Sequence, residues 1–192
     1  MILQRLKEDT RVQHEEVEAA VDVMNQMFDI ADYRRLVSKF WSFYAAYEPK
    51  LPLEVLKNAG FDYSDRAKLP LLEADASMLG LKIDDDGLEL PDISSAAKAF
   101  GSLYVIEGST LGGQVISRHL KQHLGLTPEN GGAFYFGYGQ ATGPMWKAFG
   151  ESLTRFAEGA NANDEIVEAA KATFTSITKW VGSKVNAAAV IS

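Results

Sequence analysis

The sequence has no cysteine among its 192 residues. That excludes a disulfide framework, a thiolate metal site, an iron–sulfur cluster and a cysteine nucleophile. Basic residues are in deficit: 19 Lys and Arg stand against 26 Asp and Glu, a net charge of −7. Nucleic acid and anionic membranes both select a basic face, so neither is expected as a partner. No run of about 18 apolar residues occurs, so no transmembrane helix is expected. Residues 1–12 intersperse Arg5, Lys7, Glu8, Asp9 and Arg11 with apolar side chains, unlike the unbroken apolar core of a signal peptide. A soluble cytoplasmic protein is the expectation. Strand alternation is lacking too; the nearest approach, 134–138, is short and laced with glycine.

What remains is helical. Hydrophobic residues make up 46% of the chain, enough to bury a core. Leu3, Leu6, Thr10, His14, Val17 and Val21 recur at steps of three and four and share one face of a first helix. An aromatic-rich helix over 30–56 should bend near Glu48, where Pro49 and Pro52 fall. Ser64 reads as the N-cap of a third helix running toward Gly80. The acidic turn within 82–92 is a loop. A long helix follows over 94–124, then a glycine-rich loop over 126–143. Two further helices are expected, one from Pro144 to about Gly159 and one from Asn163 to about Val185. The expected architecture is a single all-α helical domain over 1–186, with a frayed tail at 187–192.

Two places depart from plain helix design. His14 lies in phase with the apolar face and should point inward, with Glu18 one turn later. A carboxylate there can accept the Nδ1–H and leave Nε2 for a metal. A half-buried histidine in an ordinary surface ion pair accounts for the same residues. The second place is Gly101, Gly108, Gly112 and Gly113 inside the long helix. Each interior glycine costs roughly 1 kcal/mol against alanine. Gly108 and Gly112, four apart, bare one face for close approach by a flat ligand or by another helix. The glycines alone leave both open.

Leu6-Lys7-Glu8-Asp9-Thr10-x-x-x-His14-x-x-x-Glu18 resembles the proximal helix of haem oxygenases. Tyr104-x-x-Glu107-Gly108-Ser109-x-Leu111-Gly112-Gly113 resembles their distal helix, in the form of the bacterial branch. The motifs lie about ninety residues apart, and the resemblance extends from the first helix to the last. It implies a single helical domain that sandwiches haem, which is both substrate and O2-activating cofactor. It implies cleavage at one meso carbon to biliverdin, CO and Fe2+, with electrons from an external reductase or ferredoxin-type donor. By the same match His14 is the axial iron ligand and Glu18 orients it. Gly108, Ser109 and Gly112 form the distal catalytic surface, with Gly113 beside them. Animal-type members carry Asp where this chain has Ser109, a poor proton source, so ordered water is expected to relay protons. Glu107 is a weaker proton candidate. Lys7, Arg11 and Tyr104 would meet the haem propionates, favouring biliverdin IXα. Phe174 would line the pocket, and Lys147 would be a further basic contact at the haem edge. The product would serve iron acquisition or a bilin-binding photoreceptor or other biliverdin acceptor.

Other signals carry less. His119 and His123 have i, i+4 spacing but lack partner ligands. Asp84-Asp85-Asp86-Gly87 lacks the remaining EF-hand ligands. Gly137-x-Gly139 follows no strand, and neither a Walker nor a Gly-x-Ser-x-Gly motif occurs. Two rivals stand beside the enzyme: a haem-holding or haem-sensing protein of the same fold, and a helical protein that never meets haem.

Overall fold

The computed structural model describes residues 1–25, 28–82 and 87–183. Among the described residues there is no strand, and the chain forms nine α-helices. They are α1 (Ile2–Asp9), α2 (Arg11–Val21), α3 (Ile30–Tyr47), α4 (Leu53–Asn58), α5 (Leu69–Leu79), α6 (Ala96–Leu124), α7 (Ala133–Phe136), α8 (Thr142–Ala160) and α9 (Asn163–Gly182). The all-α expectation holds. The Asp84–Asp86 part of the acidic turn and the 187–192 tail lie outside the described residues.

The first helix is two. The Thr10 hydroxyl donates to the Leu6 carbonyl at 2.7 Å, and Thr10 leaves helical geometry at φ −106°, ψ 8°. Such back-bonding bends a helix, and here it divides α1 from α2. The second expected helix ends as its prolines require: α3 stops at Tyr47, a 3₁₀ turn covers Glu48–Lys50, and α4 follows. The expected N-cap at Ser64 is not one. Helix α5 begins only at Leu69, and its first amides, Lys68 N and Leu69 N, donate to the distant Glu48 carboxylate at 2.6 and 3.2 Å. A side chain twenty residues back does the work of a local cap, and local patterns do not register that. The glycine-rich stretch also hides α7, whose opening amides at Ala133 and Phe134 donate to buried Asp75, each at 2.8 Å.

Helix α6 is the axis of the molecule. Ser95 caps it, accepting from Lys98 N at 3.1 Å, and Gly125 ends it at φ +69°. It packs along α9, and α9 also backs α2, α3 and α1. A Cβ on Gly101 would stand 2.2 Å from the Ile166 carbonyl oxygen and 2.8 Å from the Ala169 Cβ, so the absent side chain lets α6 and α9 meet main chain to main chain. The core around this seam is aromatic: Phe100 stacks on Phe156 at 4.8 Å and lies against Phe61 and Phe149. Buried Tyr47 shares a 2.8 Å hydrogen bond with Ser102 of α6.

Gly101→Ala should therefore destabilise the fold by about 1–3 kcal/mol or more, despite the better helix propensity of alanine. Denaturant unfolding of the variant checks this; an unchanged midpoint would mean that the α6–α9 seam has slack.

Candidate functional site: His14 on α2 and the glycines of α6

The site begins where α6 meets the break between α1 and α2. Tyr104 faces the Thr10 side chain; burial raises its phenol pKa, and Thr10 pulls the other way. Thr10 lies one turn before His14, and Tyr104 one turn before Gly108. One turn beyond this contact His14 is open. Its side chain is 55% exposed, so it does not point into the core as its phase suggested. The reason is tertiary: α2 has no fully buried residue and rides half-buried on the surface, packed mainly against α9. The His14 ring stands edge-on to Phe174 of α9, with centroids 5.6 Å apart at 79°. Glu18 lies 3.6 Å from Nδ1, an ion-pair distance longer than a hydrogen bond. Nδ1 faces the carboxylate, which leaves Nε2 as the outward nitrogen.

On α6 the glycines part company. A Cβ on Gly112 would meet nothing within 4 Å, and Gly112 shares an exposed face with Leu111 and Val115. Gly108 is walled on one side: its Cβ would stand 3.6 and 3.7 Å from the Trp146 ring. Gly113 is buried, and a Cβ there would lie 2.9 Å from the Tyr135 carbonyl oxygen, so it seats α6 against α7. Ser109 is exposed, and its hydroxyl donates to the Ile106 carbonyl at 2.8 Å.

The cations are dispersed. Lys7 is exposed at the end of α1 and makes no ion pair among the described residues. Arg11 is paired with Glu15 at 2.9 Å, both side chains largely in solvent. Lys147 lies 3.9 Å from Glu151, also exposed. His119 and His123 stack on each other at 3.9 Å, and among the described residues no group of three or more metal-binding side chains occurs.

Glu107 turns inward. It is fully buried and collects three donors: Arg66, Lys68 at 2.9 Å and Tyr138 at 2.8 Å. Lys68 also donates to the Tyr138 hydroxyl at 2.6 Å. Burial lowers the Lys68 pKa while Glu107 pulls it up; burial and Glu107 together raise that of Tyr138 and keep it a donor. Removing one partner from such a buried pair typically costs about 3–5 kcal/mol, because the other charge is left alone. Sequence reasoning missed this cluster, since the partners of Glu107 lie 31 to 41 residues from it. The available signal was a lone Glu closing the uncharged run 99–106; a charge inside an apolar stretch calls for a buried counter-charge.

An exposed imidazole with a carboxylate behind Nδ1 and an aromatic edge beside it could ligate a metal through Nε2. The fold thus defines an all-α helical protein that presents an exposed histidine on α2 and an open glycine position on its longest helix.

Comparison with known proteins agrees. Residues 88–183 match the family model described as Heme oxygenase. The chain is 32% identical over 149 residues to the heme oxygenase of Xanthomonas campestris pv. campestris (strain 8004), covering 76% of this chain and 86% of that protein. Its fold is that of the NO- and CO-bound heme oxygenase from Neisseria meningitidis, with a TM-score of 0.78, 24% identity and 97% and 95% of the two chains covered. The heme oxygenase from Leptospira interrogans matches with a TM-score of 0.75 at 16% identity, covering 94% of this chain and 98% of that one. The chain belongs to the haem oxygenase family, and as a member it is a haem-binding enzyme. Among the described residues no helix is long and apolar enough to cross a membrane.

Gly112→Ala should stabilise the haem-free protein by about 0.5–1 kcal/mol, the helix-propensity gain at an unobstructed position. Chemical denaturation measures it; a loss of stability would mean that a neighbour fills the cleft at Gly112. The same variant should weaken haemin binding in a titration.

Proposed function

We propose that the chain cleaves haem held between α2 and α6, with His14 as the axial iron ligand and the main chain of Gly108 and Gly112 on the distal face. The products are biliverdin, CO and Fe2+. Haem, when bound, supplies the iron at which O2 is activated; external electrons reach it from a reductase or ferredoxin-type donor, since a chain without cysteine holds no cluster of its own. The observation that carries the reading is Gly112, with no atom within 4 Å of a Cβ position, on the same helix face as Gly108.

The chain's own groups divide the task. Glu18, behind Nδ1, favours the tautomer that presents Nε2. Phe174 supports the imidazole from the side. Gly108 and Gly112, having no side chains, would let the α6 backbone come close to the face of a bound haem. Ser109 has its hydroxyl proton engaged by Ile106, which supports delivery of protons by ordered water held at the main chain. Glu107 is occupied by Arg66, Lys68 and Tyr138, so it is set aside as a proton donor to the cleft.

Lys7, two turns before His14 and without an ion-pair partner among the described residues, is the propionate cation. Arg11 joins it only by exchanging Glu15. Tyr104, facing Thr10, sets the closed end of the cleft before it meets any propionate, so the preference for biliverdin IXα rests chiefly on Lys7. Gly113 acts indirectly by seating α6. The enzyme works in the cytoplasm, in iron acquisition or in supplying bilin to a photoreceptor or other biliverdin acceptor.

Adding haemin and then ascorbate or a reductase system in air should bleach the Soret band as bilin absorbance grows. A stable Soret band would make this a protein that holds haem intact. His14→Ala should abolish the histidine-ligated spectrum, and a titration and spectrum identical to the unsubstituted protein would remove His14 as ligand. Ser109→Ala should keep most of its turnover; a loss of about 100-fold, the size of a direct general-acid contribution, would give its hydroxyl the proton-donating role instead.

A further inference from the structure

The Trp146 ring faces Gly108, where an added Cβ would just touch it at 3.6 Å, and the residues just before these two are held by one guanidinium. Arg66 Nη1 bonds Glu107, which precedes Gly108. The same guanidinium donates through Nη1 and Nη2 to the carbonyl of Met145, which precedes Trp146, at 3.3 and 3.2 Å. Arg66 comes from the segment between α4 and α5, outside both helices it joins. Lys68 and Tyr138 take the other Glu107 oxygen, so the carboxylate has no second place to swing. The Trp146 ring is backed by Tyr104 at 5.8 Å and Phe149 at 5.6 Å. Trp146 also lines a groove of about 600 Å³ between α1 and α8, beside Leu3, Lys147 and Gly150. It therefore stands between the Gly108 face and a second space.

We propose that Arg66 and Glu107 are positioning residues that clamp the Trp146 ring against Gly108, making Trp146 the wall that decides which edge of the porphyrin lies under α6. The proposal rests on haem lying between α2 and α6. Without the wall the cleft joins the groove, and the disc gains a second seat. A bidentate cation suits this role, because a point charge can hold Glu107 or the Met145 carbonyl but does not fix the angle between them.

The chain has three tryptophans, Trp41, Trp146 and Trp180. Incorporating 5-fluorotryptophan gives one 19F resonance for each, and Trp146→Phe assigns the line of interest. In the haem-free protein Arg66→Lys, which keeps the charge but loses the fork, and the near-isosteric Glu107→Gln should each shift the Trp146 line while the Trp41 and Trp180 lines stay. In the haem-loaded enzyme the same two variants and Trp146→Phe should redistribute the biliverdin isomers, read by chromatography. An unmoved Trp146 line in both variants overturns the clamp. All three lines moving together also overturns it, because the cluster then supports the fold at large. An unchanged isomer distribution in Trp146→Phe overturns the wall. If haemin forms no Soret complex with the unsubstituted protein, the wall and the reading beneath it both fall, while the fluorine lines still decide the clamp.

Discussion

The close approach of α6 to α9 at Gly101 is the contact on which the remainder hangs. With no side chain at 101, the Ile166 carbonyl comes within the space a Cβ would need. Helix α9 can then serve two neighbours at once, α6 on one flank and α2 on the other. Where α6 meets the break between α1 and α2, Tyr104 faces Thr10, and one turn later on α2 His14 stands exposed.

The glycines of α6 have four different surroundings. Gly101 meets α9, Gly113 meets the Tyr135 main chain, Gly108 meets the Trp146 ring, and Gly112 meets nothing. Each gives up roughly 1 kcal/mol of helix propensity. At 101 and 113 close packing of main chain is the return. At 112 no neighbouring element packs against the position, so nothing there offsets the loss.

Charge is arranged in the same spirit. The cleft side of α6 carries no acid; its one glutamate near the glycines faces the other way, into Arg66, Lys68 and Tyr138. That carboxylate holds the segments before α5 and α8 to the helix. The arrangement leaves main-chain carbonyls and the Ser109 hydroxyl as the polar groups of the exposed face.

Much of this was legible in the residues alone. The all-α class, the long helix, the proline-induced end of α3 and the family all follow from local periodicity, proline and glycine rules, and resemblance. What could not be read there depends on contacts distant in sequence. Glu48 caps α5, Asp75 caps α7, and Arg66 reaches Glu107 and Met145; no pattern of neighbours records such pairs. His14 was placed inward by its phase, yet phase says only which residues share a face. Whether that face is covered depends on where α9 lies, and α9 covers α2 only in part. Local pattern is enough to show a histidine and a glycine-bearing helix; packing alone sets that the histidine lies exposed, that Gly112 is open while a Cβ at Gly108 would meet Trp146, and that Glu107 is buried. Exposure is a property of two surfaces, and a sequence pattern describes one.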